Sequence, residues 1–186
     1  MTTVQDPWHS VTDFPALAAA MEQFLRGQIP VTPMHGGPLD PESAPLVPHL
    51  VALARHGLVP LLSQPGVLTP TLQQRACVDM VVEHADTGLG VVRALAHTDL
   101  VVLVAAPGTL LHQDLPMTWS GGDCITWAGR VGLDRQLWAD ALPSEAADLV
   151  ARLCFVQVLD PVWGRPHHLW DRLHEAVASL RLRRVA

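Results

Sequence analysis

Short apolar runs bounded by polar or glycine-containing segments recur along this chain, and they constrain its fold more than any other feature. They cover residues 58–62, 76–82, 100–105 and 153–159. Each has the length of a strand, and the first directly follows a helical pattern that stops at Gly57. The order of helix, glycine, short apolar strand and polar loop is typical of a layered α/β protein.

Helical patterns lie between these runs. Asp13 precedes a helical stripe of apolar residues, and further helices are predicted after Pro41, from Asp86, after Pro143 and from Pro166. Residues 28–41 and 107–123 contain prolines and glycines and are predicted to be irregular loops, the first draping over a site. With a short strand at 124–128, this predicts one layered domain over residues 1–186: a mixed sheet of about five strands with helices on its faces. Residues 1–12 are polar and are predicted to form an N-terminal arm, which is either mobile or anchored by Trp8.

Charge and composition exclude several classes of function. The formal net charge is −6, and the basic residues are scattered apart from the arginines at 181, 183 and 184, so nucleic-acid binding is not expected. The chain has no lysine, tyrosine or asparagine. Schiff-base chemistry, a phosphate-loop lysine and a tyrosine general acid are therefore excluded for the chain acting alone. A general acid or base must be His, Asp, Glu or Cys.

Metal and membrane signals are also missing from the sequence. Cys77, Cys124 and Cys154 are too widely spaced for a zinc knuckle, and the 10 histidines form no His-Glu-x-x-His motif, so no metal or other cofactor is expected. No apolar run approaches the roughly 18 residues of a membrane helix, and no basic start precedes an apolar signal core. The expected location is the cytoplasm, without membrane association.

Two polar loops follow apolar strands and offer groups that could bind a ligand. Ser63-Gln64-Pro65-Gly66 supplies a hydroxyl, an amide and a backbone without a Cβ at Gly66. Asp160, Trp163 and Arg165 supply a carboxylate, an indole and a guanidinium before a helix N-terminus, where an anion is favoured. Because ligands in α/β sheets sit beyond the carboxyl ends of strands, these loops form one site if their strands are parallel neighbours. An ordinary turn and a salt bridge or helix cap are the structural alternatives.

Further candidates flank the second strand. Gln74 and Arg75 precede it and could bind a carboxylate or phosphate, although Arg75 could equally pair with Glu83 or Asp79. His84 follows it and is the best general-base candidate by residue type, with a solvated turn as the alternative. Ser63 could be a nucleophile, but it lacks the Gly-x-Ser-x-Gly elbow that exposes a catalytic serine.

The polar motifs are Ser63-Gln64-Pro65-Gly66, Gln74-Arg75-Ala76 and Asp160-Pro161-Val162-Trp163-Gly164-Arg165. In combination they resemble an uncharacterised actinobacterial family of domains of unknown function, over most of the chain. The resemblance implies that both loops belong to one site, and it implies no activity. The chain departs from the family pattern at Pro60 and Leu61, where small hydroxylated residues are expected.

The sequence leaves three functional hypotheses open. In the first, the chain is a metal-independent hydrolase, lyase or transferase for a small polar or anionic metabolite. Arg75 and Arg165 hold the anion, Gln64 orients the substrate, and Asp160 or His84 moves a proton. In the second, the chain is a non-enzymatic protein-interaction or accessory module. In the third, it binds a nucleotide, with Trp163 stacked on the base. Apolar strand edges point weakly to a homodimer.

Overall fold

The computed structural model describes residues 7–33, 36–132 and 142–180. Half of the predicted arm, residues 1–6, and the basic positions 181, 183 and 184 lie outside the described residues. The rest of the arm is packed rather than free. Residues Pro7–Ser10 form a 3-10 turn, Trp8 and Val11 are buried, and the Trp8 indole donates to the Val31 carbonyl at 2.9 Å.

Five α-helices lie in the described part of the chain, and they follow the sequence patterns closely. They are α1 (Phe14–Leu25), α2 (Val47–Arg55), α3 (Ala85–Leu95), α4 (Ser144–Val150) and α5 (His168–Ser179). Asp13 caps α1 as predicted, because its carboxylate accepts from the Ala16 amide at 2.8 Å. The segment after Pro41 differs in detail, since Pro41–Leu46 is a 3-10 turn that leads into α2.

The four apolar runs form one antiparallel sheet. Its strands are β1 (Val59–Gln64), β4 (Cys77–Val82), β5 (Val101–Ala105) and β8 (Cys154–Leu159), in the order β1-β4-β8-β5. The predicted α/β class is confirmed, but this sheet is not mixed. Strands β4 and β5 run in the same direction, as a helical crossover requires, yet β8 lies between them and pairs antiparallel with both.

A second antiparallel sheet occupies a region that we predicted to be mostly loop. It contains β2 (Val67–Leu68), β3 (Leu72–Gln74), β6 (Leu110–Ser120) and β7 (Asp123–Gly132), in that order. The prediction of a loop over residues 107–123 was wrong. Gly121 and Gly122 both adopt positive φ and close a tight β6–β7 hairpin, and pairing becomes irregular near Pro116, which has no amide to donate.

The β1-β4-β8-β5 sheet is covered on both faces. On one face, Gly88 of α3 lies against Val82, Val104 and Val156. On the other face, strands of the second sheet pack through a small buried cluster of Cys77, Met117, Ala128 and Leu159. This second layer explains why strand β8 is buried at every position.

Candidate functional site

The structure brings the two predicted loops together. Strands β1 and β8 both pair antiparallel with β4, so they run in the same direction and end at the same edge of the sheet. A Cβ on Gly66 would lie 2.5 Å from the carbonyl oxygen of Arg165, so the two backbones are in contact. The Gly164 amide also donates to the Gln74 carbonyl at 3.1 Å. The loops are therefore joined through their backbones, and no cleft separates them at this point.

Two buried glutamines hold this junction. The Gln64 amide nitrogen donates to the Arg75 carbonyl at 2.7 Å. The Gln74 amide nitrogen donates to the Pro65 carbonyl at 2.9 Å and to the Glu42 carboxylate at 3.1 Å. Gln74 therefore has structural partners in place of the predicted ligand. Gln64 keeps a carbonyl oxygen with no partner among the described residues.

Asp160 and Arg165 form an ion pair at the end of β8. The Asp160 side chain has 0% exposure, and its carboxylate accepts from Arg165 Nε at 2.8 Å and from the Val162 amide at 2.9 Å. Arg165 Nη2 also lies 2.8 Å from Asp99 Oδ2. Asp160 and Arg165 thus form the salt bridge that the sequence analysis gave as the structural alternative to a ligand site. Since both partners of Arg165 are carboxylates, its guanidinium is not open to the anion for which we predicted it.

Arg75 and Trp163 are engaged with each other. The Arg75 guanidinium carbon lies 4.0 Å from the centroid of the Trp163 ring, and Arg75 Nη1 donates to the Pro116 carbonyl at 2.7 Å. Burial lowers the pKa of Arg75, and the nearby charge of Asp160 opposes that shift. The guanidinium therefore occupies a face of the indole that the nucleotide hypothesis needs for a base.

Ser63 lies on a cavity of about 350 Å³ beside β1, an edge strand of its sheet. Ser43 Oγ donates to the Ser63 carbonyl at 2.9 Å, and Ser63 Oγ donates to Ser43 Oγ at 3.0 Å. Gln64 also lines the cavity, and residues of the predicted 28–41 loop, Thr32 and Pro38 among them, form part of its wall. The volume lies within the roughly 300–1,000 Å³ that is typical of small-molecule sites.

The cavity has a largely apolar lining with a smaller set of polar groups. The apolar wall is formed by residues of α1, α2 and β1: Met21, Phe24, Leu25, Leu50 and Leu61. Asp40 and Glu42 contribute carboxylates, and no basic side chain lies among the described lining residues. This combination suits a small molecule with an apolar part and a neutral or cationic polar part.

The structure separates His84 from this region. His84 lies two residues beyond Val82, the last residue of β4, whereas Gln64 pairs with Cys77, the first residue of that strand. Its side chain is 73% exposed and lies 3.5 Å from the Glu83 carboxylate. His84 therefore lies in a solvated turn, which was the predicted alternative, and it is too far from Asp160 and Ser63 to act in one site with them.

Sequence reasoning missed the carboxylates of the cavity. Asp40 and Glu42 stand where a helix begins, and Asp40 does cap the 3-10 turn by accepting from the Glu42 amide at 3.1 Å. The sequence did contain a signal for them: both residues lie at or just after the end of the Pro/Gly-rich 28–41 loop, which we expected to cover a site.

Within residues 7–33, 36–132 and 142–180, no group of three or more His, Cys, Asp or Glu side chains is arranged to hold a metal ion. The helices of this part of the chain are all too short or too polar to span a bilayer.

The sequence matches the family model described as domain of unknown function DUF6919 over residues 3–180. No curated protein matches the chain.

Proposed function

The chain belongs to the DUF6919 family, and we propose that it binds a small polar molecule with an apolar part in the cavity beside β1. The observation that supports this most is the cavity itself, about 350 Å³ in volume and lined by both hydrophobic and polar side chains. Ser63 and Gln64, two of the residues singled out in the sequence, contribute to its wall.

The charge of the lining favours a neutral or cationic ligand over an anionic one. Asp40 and Glu42 are the ionisable side chains among its described lining residues. Arg75 and Arg165 are held outside it by Trp163 and Asp160. Opposite charges attract strongly where water is partly excluded, so an ammonium group is the preferred polar part.

Catalysis without a metal is part of the proposal, and in this cavity it would depend on Asp40 or Glu42. The Ser63 hydroxyl donates to Ser43 and has no imidazole partner in the described part of the chain, so it lacks there the base that activates a serine nucleophile. The cavity therefore supports binding more directly than it supports a reaction.

A second candidate function is protein interaction through the β6–β7 hairpin. Trp119, Ile125 and Trp127 are 38%, 56% and 44% exposed there. Large exposed apolar side chains grouped on one hairpin favour contact with another protein.

Ligand-induced thermal shifts test the proposal. A panel of small amines, polyols, amino acids and carboxylic acids is screened on the wild type and on Glu42→Gln, in which the amide oxygen can still accept from Gln74. The matched control is Glu83→Gln, which makes the same charge change on an exposed residue outside the cavity. We expect an amine to stabilise the wild type and the control more than Glu42→Gln. Equal shifts in all three proteins, or no shift with any compound, would contradict the proposal.

A further inference from the structure

A second cleft lies between α3 and α5, away from the cavity beside β1. Its volume is about 440 Å³, and its lining includes His97, Asp99, His168 and Arg172. It shares no described lining residue with the cavity. Whatever binds in one space therefore need not affect the other.

Asp99 and His168 form a carboxylate–imidazole pair in this cleft. His168 Nε2 lies 2.7 Å from Asp99 Oδ1. The hydrogen bonds from His168 and Arg165 lower the pKa of Asp99 to about 2, so the carboxylate is ionised at neutral pH. An ionised carboxylate can only accept, so the proton of a neutral His168 lies on Nε2. The lone pair is then on Nδ1, which has no partner among the described residues.

The Asp99–His168 pair is held in place by Arg165. Arg165 contacts Asp99 at 2.8 Å and is itself bound to the fully buried carboxylate of Asp160. A chain of charged groups thus leads from the end of β8 to His168. A carboxylate that fixes the tautomer and orientation of an imidazole is the arrangement that prepares histidine as a base.

The hydroxyl groups of the cleft are occupied. Thr98 Oγ1 donates to the Leu95 carbonyl at 2.7 Å, and Ser179 Oγ donates to the Ala176 carbonyl at 2.6 Å. Neither is hydrogen-bonded to His168, so neither is an activated nucleophile. A reaction that uses His168 as a base must therefore activate water.

We propose that this cleft is a hydrolytic site for small activated carboxylic esters, with His168 as the general base and Asp99 as its positioning residue. His168 Nδ1 takes one proton from water while the water oxygen bonds to the carbonyl carbon. The tetrahedral intermediate then collapses, the bond to the alcohol oxygen breaks, and the leaving group takes the proton from His168. The products are a carboxylic acid and an alcohol. Arg172 lines the same cleft. Its Nη1 donates to the Glu175 carboxylate at 2.9 Å, and its Nη2, which has no partner among the described residues, is the donor for the negatively charged oxygen.

Hydrolysis of p-nitrophenyl acetate by the full-length protein, followed from pH 6 to pH 9, tests this site. We expect a rate above that of an equal concentration of imidazole, with a solvent deuterium effect of about 2 and a loss of at least about tenfold in His168→Gln. The matched control is His167→Gln, which changes the neighbouring exposed histidine, outside the cleft. It should keep the wild-type rate. Equal rates in His167→Gln and His168→Gln would overturn the proposal.

Two further measurements separate a positioning role from a structural one. In Asp99→Ala the rate should fall at least about tenfold, and Asp99→Asn, whose amide oxygen can still accept from His168 Nε2, should restore most of it; equal rates in the wild type and Asp99→Ala would remove Asp99 from the mechanism. If His168→Gln does not fold, wild-type protein is treated with diethyl pyrocarbonate, and modification at each histidine is measured by mass spectrometry. The rate should fall in proportion to modification of His168, and a rate that survives complete modification there would overturn the proposal. Binding in the β1 cavity is measured with Glu42→Gln, so the two sites can fail independently.

Discussion

Gly66 and Arg165 touch through their backbones, although 58–62 and 153–159, the apolar runs that precede them, are far apart in the sequence. A Cβ at residue 66 would lie 2.5 Å from the Arg165 oxygen and 2.7 Å from its carbonyl carbon. This contact requires a residue without a side chain at position 66. It also fixes the distance between the loop after β1 and the loop after β8.

Replacing Gly66 by alanine should therefore destabilise the protein. Backbone atoms cannot rotate away as a side chain can, so the loops must separate, and the free energy of unfolding should fall by about 1–3 kcal/mol. Urea unfolding followed by tryptophan fluorescence measures the change. Gly90→Ala is the control, because Gly90 lies within α3 and a Cβ there meets only the Leu180 side chain, at 3.3 Å. That variant should be neutral or slightly more stable, and a loss in it as large as in Gly66→Ala would contradict the interpretation.

Removing Arg165 should be costly for a different reason. Arg165→Ala leaves the Asp160 carboxylate buried, with the Val162 amide as its one donor among the described residues. Breaking a buried pair from one side typically costs about 3 kcal/mol or more. The control is Arg55→Ala, which removes an exposed guanidinium that binds Glu22 at 2.7 Å on the surface. In the same experiment the free energy of unfolding should fall much less in Arg55→Ala than in Arg165→Ala. Restoring stability by adding Asp160→Asn to Arg165→Ala would identify the unpaired charge as the cause.

The parts of the fold that could be predicted are those with a local signal. Strand β8 is buried at all positions, and its sequence is therefore apolar except for Gln157. Asp13 caps α1 with its own side chain, which short-range patterns predict well. Strand β6 was missed because polar residues break its apolar residues into short groups, and Pro116 interrupts it. Its strand structure comes from pairing with β7 and β3, which the β6 sequence alone does not encode.

The candidate site also has a part that the sequence predicted and a part that it did not. We expected the loops that begin at Ser63 and Asp160 to converge if their strands were parallel neighbours. The structure brings the loops together although β4 lies between β1 and β8. The Asp160–Arg165 salt bridge was one of the predicted alternatives, since the two residues are five positions apart, whereas Asp99, which joins them from another strand connection, could not be predicted. The cavity is likewise built from segments between residues 21 and 126. Such a space depends on packing, for which periodicity gives no signal.

The two serines at the cavity provide a test of coupling. Ser43 Oγ donates to the Ser63 carbonyl, and Ser63 Oγ donates to Ser43 Oγ. Ser43→Ala removes both hydrogen bonds and should cost about 1–2 kcal/mol, whereas Ser63→Ala removes one and should cost less. In a double-mutant cycle the double variant should be little worse than Ser43→Ala alone. Fully additive losses would show that the two hydroxyls act independently.

Asp79 should make the stability of this protein depend on pH. Its carboxylate accepts from the Gln157 amide at 2.7 Å, and burial raises its pKa to about 6. Because the folded protein holds this proton more tightly than the unfolded chain, the stabilisation is fully present below about pH 4 and is lost as the pH rises through about 6. The shift corresponds to about 3 kcal/mol between these limits. Asp79→Asn can still accept from Gln157 and cannot ionise. We expect Asp79→Asn to be more stable than the wild type in urea unfolding at pH 8, with a difference that shrinks toward pH 4. Asp123→Asn, an exposed control at the β6–β7 turn, should show no such trend. A constant difference between wild type and Asp79→Asn across this range would exclude ionisation of Asp79 as the cause.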